Sequence, residues 1–312
     1  MNNLKILVVT PVYEDVESAR FLFKELKRCI QDLTIIAIDD GSIYQPIDAE
    51  ALETLGIKGA VITLRRNLGH QGAIAVGLCY VNAFLPQDYD CVVVMDSDGE
   101  DTPESLCELL EGFNSSIADV RVAERKRRNE SFKFIQFYRI YKFLFQTLTG
   151  KSINFGNFMA LKPKAVSRLT AMNEIWIHLA ASVIASKLRI EGCKIDRGTR
   201  YVGNSKMNFV SLVLHGFKGV MVFSEQVLIR MGGASLIVAI GSAIMILFAV
   251  VLKLIDAASP GWFSTVIGST IAIFLQTGVL TLITLMITGL LRISTLNQID
   301  FKSFIEEVKE IR

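Results

Sequence analysis

The chain has 312 residues, 51% of them hydrophobic, with 33 basic and 31 acidic side chains and a formal net charge of +2. So balanced a charge excludes a general nucleic-acid binder and, at this apolar content, a disordered tail protein. The charges are unevenly placed: residues 233–291 carry two, Lys253 and Asp256, which divides the chain into a part able to bury its own core and a part suited to lipid.

In chain order, residues 4–10 read as a buried strand and residues 16–32 as a helix with Phe21, Leu22, Leu26 and Ile30 on one face. Residues 34–38 form a second apolar strand, followed by Asp39-Asp40-Gly41-Ser42. Residues 59–64 form a third, followed by Arg66-Asn67-Leu68-Gly69-His70-Gln71-Gly72-Ala73, and 73–84 a helix of small residues. Residues 91–95 form a fourth, followed by Asp96-Ser97-Asp98-Gly99-Glu100. Apolar strands alternating with helices predict a mainly parallel α/β sheet covered on both faces. Ligands collect at the carboxyl ends of such strands, where these polar clusters fall.

Residues 121–151 hold nine basic and two acidic residues, and Phe132–Phe145 interleaves seven aromatic rings with Lys133, Arg139 and Lys142. Such a helix suits the headgroup level of a membrane, and Met207–Met231 is a second segment of this kind. The apolar runs at about 234–255 and 262–291 each exceed the roughly 20 residues that cross a bilayer core. Asp256 to Gly261, with Pro260, forms the turn of a transmembrane hairpin. Gly232, Gly233 and Gly241 in or near the first span favour close helix packing and a homo-oligomer. Phe301–Ile311 reads as a short amphipathic helix. No signal peptide is expected, because the first apolar stretch is short and meets Pro11. Arg230, Arg292 and Lys302 flank the spans, against Lys253 alone between them, which places both termini in the cytosol. Five scattered cysteines without a C-x-x-C pair fit reduced thiols, and no H-x-x-x-H pair signals zinc.

Asp96 and Asp98, at i and i+2 where a strand becomes a loop, are able to converge on one divalent cation, and Glu100 adds a third hard oxygen suited to Mg²⁺ or Mn²⁺. The same string mimics the nucleophile loop of haloacid-dehalogenase-like phosphatases, which lies nearer the chain start. Asp39-Asp40-Gly-Ser is either a ligand loop or an ordinary turn. Arg200 and Lys206, in Arg200-x-x-Gly203-Asn204-Ser205-Lys206, either neutralise a diphosphate or form a solvated basic loop.

Taken in order, Pro11-Val-Tyr13, Asp39-Asp40-Gly-Ser, Arg66-Asn-x-Gly69, Asp96-x-Asp98 and Gly203-x-Ser-Lys206 resemble the family-2 glycosyltransferases of GT-A fold. The polyprenyl-phosphate enzymes among them are the nearest in pattern: dolichyl-phosphate mannose synthase and the bactoprenol glucosyltransferases. The resemblance covers residues 4 to about 230 and implies a Rossmann-like domain (1–206), interface helices (207–232), the hairpin (233–291) and a cytosolic amphipathic tail (292–312). It implies that Pro11, Tyr13, Asp40 and Asp96 hold the nucleotide. Asp96, Asp98 and Glu100 would face the metal, Arg200 and Lys206 the diphosphate, and Arg125 and Lys133 the acceptor phosphate. Asp98, Arg200 and Lys206 would carry catalysis. The implied reaction is inverting transfer from a nucleotide sugar, UDP-linked by preference, to undecaprenyl phosphate on the cytosolic face of the inner membrane, for modification of cell-envelope glycans.

Four residues at three places depart from the pattern. Glu14-Asp15 stand where Asn-Glu is usual, Glu100 where Gln is frequent, and Gly156-Asn157-Phe158 where many bacterial relatives have Gly-Asp-Phe. Two other readings share part of the pattern. A processive polysaccharide synthase would add Q-x-x-R-W, where this chain has Gln226-x-x-x-Arg230, and a larger channel. A catalytically degenerate membrane scaffold would rest on Asn157 and Glu14.

Overall fold

In the computed structural model, residues 4–85, 89–125, 132–196, 198–202, 209–255, 257, 259, 261–295 and 299–311 are described. The elements run β1 (Ile6–Val12), α1 (Val16–Cys29), β2 (Leu33–Asp39), α2 (Glu50–Glu53), β3 (Lys58–Leu64), α3 (His70–Phe84), β4 (Cys91–Val94), α4 (Pro103–Leu110), β5 (Val120–Arg125) and α5 (Phe132–Thr149). They continue with β6 (Phe155–Leu161), α6 (Pro163–Thr170), α7 (Leu179–Ala185), β7 (Ile190–Ile195), α8 (Phe209–Met221), α9 (Ser224–Leu254), α10 (Trp262–Thr295) and β8 (Ile305–Ile311). The chain divides into two compact units: Met1–Arg139 with Ile153–Val222 and Ile299–Arg312, and Ile140–Ser152 with Phe223–Gln298.

The first unit is built on an eight-stranded sheet of order β7-β5-β6-β4-β1-β2-β3-β8. β4, β1, β2 and β3 are parallel neighbours, with Ile6 level with Leu33 on one side and Cys91 on the other. β6 runs antiparallel between β4 and β5, and β7 pairs parallel to β5. Both faces are covered, which is why the central strands are apolar over most of their length rather than alternating. Ile6 and Val8 pack toward α1 and α4, through Leu22, Phe23, Leu26, Leu106 and Leu109. Leu7 and Val9 pack toward α3, α6 and α7, through Ala73, Val76, Leu169 and Leu179. Gly77 lets α3 approach the sheet: a Cβ there would lie 2.6 Å from Val9 Cγ1 and 2.7 Å from Ile38 Cδ1.

Residues 305–311, expected as part of a helical tail, instead form strand β8, antiparallel to β3. The threefold spacing of Ile305, Val308 and Ile311 reads as a helix face, but an odd step along a strand moves a side chain to the opposite face. Ile311 packs into one core and Val308 into the other, and the register shift at Thr63/Leu64 turns Ile305 to the same side as Val308. Arg121, counted in the basic segment, is buried in β5. Its guanidinium bonds both Glu191 carboxylate oxygens at 3.1 Å and the carbonyls of Leu109 and Glu111.

The second unit contains α9 and α10, apolar helices of 31 and 34 residues, each long enough to span a membrane. They are joined by a Thr281-to-Ser235 hydroxyl bond of 2.8 Å, and Lys253 lies over the Phe263 ring. Their side chains are mostly exposed, as lipid-facing surfaces require. The second half of α5 belongs to this unit: Phe145 meets the Phe223 ring edge-on, and Arg230 bonds the Thr147 carbonyl.

Candidate active site

The carboxyl ends of β1, β2 and β4 lie side by side in the sheet and carry three groups of the expected residues. Pro11 lies in the buried end of β1, and its carbonyl accepts the Ser97 hydroxyl at 3.0 Å, tying this strand end to the loop after β4. Tyr13 beyond it is 45% exposed. Asp39 shapes the next turn, accepting Ser42 N–H at 2.8 Å and Ile47 N–H at 3.0 Å. Asp40 is buried and accepts Leu68 N–H at 2.7 Å, which joins this turn to the Arg66–Gly69 loop. Burial pushes its carboxyl up to about 6 against the pull of these backbone donors.

Glu14, one of the departures from the family pattern, has a structural account. Its carboxylate accepts the N–H groups of Ile43, Tyr44 and Gln45, at 2.7 to 3.2 Å. Its own N–H donates to Ser42 Oγ. It therefore braces the loop after β2 from the end of β1, with its backbone at φ 48°.

The loop after β4 is the most organised part of the site. Gly99 turns it at φ 91°, and the Tyr201 ring covers the side where a Cβ would stand, 2.6 Å from Cδ2. Two backbone bonds fasten the segment around residue 200 across this loop: Gly198 N–H to the Glu100 carbonyl at 2.9 Å and Tyr201 N–H to the Asp98 carbonyl at 3.0 Å. Arg200 is thereby placed on the carboxylates, 2.5 Å from Asp98 Oδ2 and 3.6 Å from Glu100 Oε1. Asp98 Oδ1 accepts Glu100 N–H. Asp96 N–H donates to Asp101 Oδ2 at 3.1 Å. Burial, then the Asp96 and Asp98 charges, hold the Asp101 carboxyl well above the usual carboxylate range.

The structure thus brings Asp96, Asp98, Glu100 and Arg200 together. One cavity is lined by Asp96, Glu100, Asp101, Arg125, Asn157 and Asp196, among others, so Arg125 joins the same site. Lys206 lies outside the described residues, and Lys133 lies on α5 with its side chain outside them. The motifs did not single out Asp101, whose signal is its place at i+5 from Asp96. Nor did they assign roles to His70 and Gln71, which open α3 beside Asp96: His70 Nε2 lies 3.2 Å from Asp96 Oδ1. His178 is buried, caps α7 through the Ala181 N–H and stacks on His215 at 4.3 Å. Burial and the second ring push it down to about 3.

The donor set is all carboxylate oxygen, which suits a hard divalent cation. Asp98 and Glu100 already gather on one positive group, the Arg200 guanidinium, which stands where a cation's charge would be balanced. Among the described residues no three carboxylate, histidine or cysteine side chains converge as ligands. The residues fit a metal by type, and Asp96, Asp98 and Glu100 share one loop without converging on a common point.

A doubly wound sheet with Asp39 and Asp40 at the end of β2 and an acidic loop after β4 is the GT-A architecture of glycosyltransferases. The profile of Glycosyl transferase family 2 matches residues 7–176, more than half of the chain, and the protein belongs to that family. It is 23% identical to the glycosyltransferase YkcC of Bacillus subtilis (strain 168), over 85% of this chain and 83% of that protein. It is 25% identical to the undecaprenyl-phosphate 4-deoxy-4-formamido-L-arabinose transferase of Serratia proteamaculans (strain 568), over 83% and 79%. Among solved structures, the glucosyl-3-phosphoglycerate synthase of Mycobacterium tuberculosis, in complex with Mn²⁺, UDP-glucose and phosphoglyceric acid, shares the fold. It superposes with a TM-score of 0.51 and 12% identity, covering 72% of this chain and 80% of that one.

Proposed function

We propose that this glycosyltransferase moves a sugar from a nucleotide-sugar donor, UDP-linked by preference, to undecaprenyl phosphate. The reading is carried by the acidic loop gathered on Arg200 in a family 2 chain that also bears two helices of membrane-spanning length. The Serratia relative supports the choice of acceptor through its name.

In the proposed reaction a phosphate oxygen of the acceptor attacks the anomeric carbon of the sugar. The bond from that carbon to the diphosphate oxygen breaks, and its electron pair leaves with the nucleoside diphosphate, which inverts the anomeric centre. The acceptor is already an anion, so no general base is needed, and an amide at Asn157 fits a site without one. Arg200 would pair with the charge growing on the diphosphate, with Lys206 beside it. Asp96, Asp98 and Glu100 would hold Mg²⁺ or Mn²⁺, which when bound supplies further neutralisation of the leaving group. Arg125 and Lys133 would receive the lipid phosphate, while Pro11, Tyr13 and Asp40 would hold the nucleotide.

The reading places the sheet domain and both termini on the cytosolic face of the inner membrane. Exposed apolar side chains at Val210, Leu214, Phe217 and Met221 of α8, and at Ile140, Phe143 and Leu144 of α5, support helices lying at the interface. Self-association through the hairpins is part of the same reading, since Gly232, Gly233 and Gly241 have open space beside them.

The test is a screen of nucleotide sugars with full-length protein in detergent, undecaprenyl phosphate and Mg²⁺ or Mn²⁺, with the lipid product read by mass spectrometry. One donor should give a lipid-linked sugar, and Asp98→Ala should lower its formation at least about 100-fold. Unchanged turnover in that variant overturns the metal assignment; no lipid product from any donor overturns the reaction.

A further inference from the structure

The loop that joins β3 to α3, residues 65–69, is held from two directions. On one side Leu68 N–H bonds Asp40 Oδ1 at 2.7 Å. The same loop lies flat against the turn after β2: a Cβ on Gly41, which stands at φ 71°, would come 2.8 Å from the backbone carbon of Arg66 and 2.8 Å from the backbone nitrogen of Asn67. Asn67 Oδ1 accepts Gly69 N–H at 2.9 Å, which closes the loop on itself. A shift of residues 65–68 therefore reaches Asp40 and Gly41 through packed backbone.

On the other side the loop is held by the last part of the chain. Arg65 bonds two successive carbonyls there: its N–H donates to Phe304 at 2.9 Å and its Nε to Ile305 at 3.1 Å. The Arg66 guanidinium lies over the Phe304 ring, 5.9 Å from the centroid, and that ring is seated against Trp176 at 5.6 Å. A bulge builds this meeting. Thr63 pairs with Glu307 and Leu64 with Ile305, so β8 places one extra residue, Glu306, opposite the end of β3. In an unbroken antiparallel register Arg65 would face Ile305; the bulge moves Phe304 into that place and aims its ring at Arg66.

Residues 299–311 follow the two apolar helices in the chain and belong to the sheet unit. We propose that Arg65 and Phe304 are positioning residues of the nucleotide site: the segment that returns after the apolar helices sets where the Arg66–Gly69 loop stands and, through it, where Asp40 and Gly41 stand. Both residues act through the loop backbone rather than on substrate. The proposal rests on the reading of Asp40 as a nucleotide contact.

The test measures UDP binding to the full-length protein in detergent with Mn²⁺, by calorimetry, with hydrogen exchange at the Leu68 and Gly69 amides followed beside it. Arg65→Ala should weaken UDP binding about 3- to 30-fold, the range expected of a residue coupled to a site it does not touch. Phe304→Leu keeps an apolar side chain against Trp176 but removes the ring under Arg66, and should weaken binding in the same direction. Arg65→Lys, which keeps a donor for the Ile305 carbonyl, should recover most of the affinity. In the weakened variants the Leu68 and Gly69 amides should exchange faster while those of β1 and β2 keep their protection. Wild-type affinity in both weakening variants overturns the proposal, as does a loss accompanied by faster exchange throughout β1 and β2, or no recovery in Arg65→Lys. Asp40→Asn separates the proposal from the reading beneath it. Lost affinity there with wild-type affinity in the Arg65 and Phe304 variants overturns the proposal and keeps the nucleotide site. Wild-type affinity there with the expected pattern in the other variants supports Arg65 and Phe304 as positioning residues and rejects Asp40 as the contact. A wild-type protein that binds no UDP overturns both.

Discussion

Asp40→Asn should stabilise the protein at neutral pH while weakening its hold on nucleotide. Asp40 is 2% exposed, and burial pushes its carboxyl from the usual 3.8 up to about 6. The native state therefore keeps a proton on Asp40 that the unfolded chain releases, and the associated stability is full below about pH 3.8 and lost as pH rises through about 6. At pH 7.5 the ionised group costs about 3 kcal/mol relative to its neutral form, at about 1.4 kcal/mol for each unit of pKa. Asparagine keeps an oxygen for Leu68 N–H and carries no charge, so about 3 kcal/mol is the upper bound of the gain; its NH₂ group must still find an acceptor. For a unit of this size each kcal/mol raises Tm by about 2–4 °C. The assay compares Tm of the two full-length proteins in detergent at pH 4.5 and pH 7.5, with UDP binding measured at the higher pH. The variant should melt several degrees higher at pH 7.5, show a smaller gain at pH 4.5, and bind UDP more weakly. A lower Tm at pH 7.5, or an equal gain at both pH values, refutes the reasoning.

Arg121→Ala leaves the carbonyls of Leu109 and Glu111 without their donor and should cost about 2–3 kcal/mol; Glu191 reaches solvent and adds little, so the loss should be nearly insensitive to salt in a denaturation series. Ending the chain after Gln298 removes β8 and uncovers the β3 edge, so the truncated protein should lose Tm and aggregate, as light scattering during a thermal ramp would report.

The parts of the fold legible in the sequence are those whose side chains face core on both sides. β1 to β4 are rich in Ile, Val, Leu and Ala because α1 and α4 cover one face and α3 the other. β5 and β7 lie at the far edge and carry Arg121, Glu124, Glu191 and Lys194, so they read as polar segments rather than strands. β8 was hidden because its apolar residues divide between two faces across a register shift. The site shows the same division. Asp96, Asp98 and Glu100 are neighbours in the chain, and their spacing after an apolar strand exposed them. Arg200 reads in the sequence as either a diphosphate contact or part of a solvated basic loop, and its contact with Asp98 spans 102 positions. The contact of Asn157 with His70 and Gln71 depends on β6 meeting α3, which no local pattern records.

The return of the chain to the sheet constrains the membrane arrangement. α8 precedes the two apolar helices and β8 follows them, and both belong to the first unit. If α9 and α10 cross a bilayer, the chain must leave and re-enter on the side where that unit stands, whichever side that is. An odd number of crossings would put β8 across the bilayer from β3, with which it shares its backbone hydrogen bonds. Pairing of β3 with β8 therefore requires an even number of spans between Leu64 and Ile305, and two helices of 31 and 34 residues meet that condition. A reporter fused after Arg312 should then be digested from the same face as one placed before Met1. Opposite accessibility would mean that one of the two helices does not span.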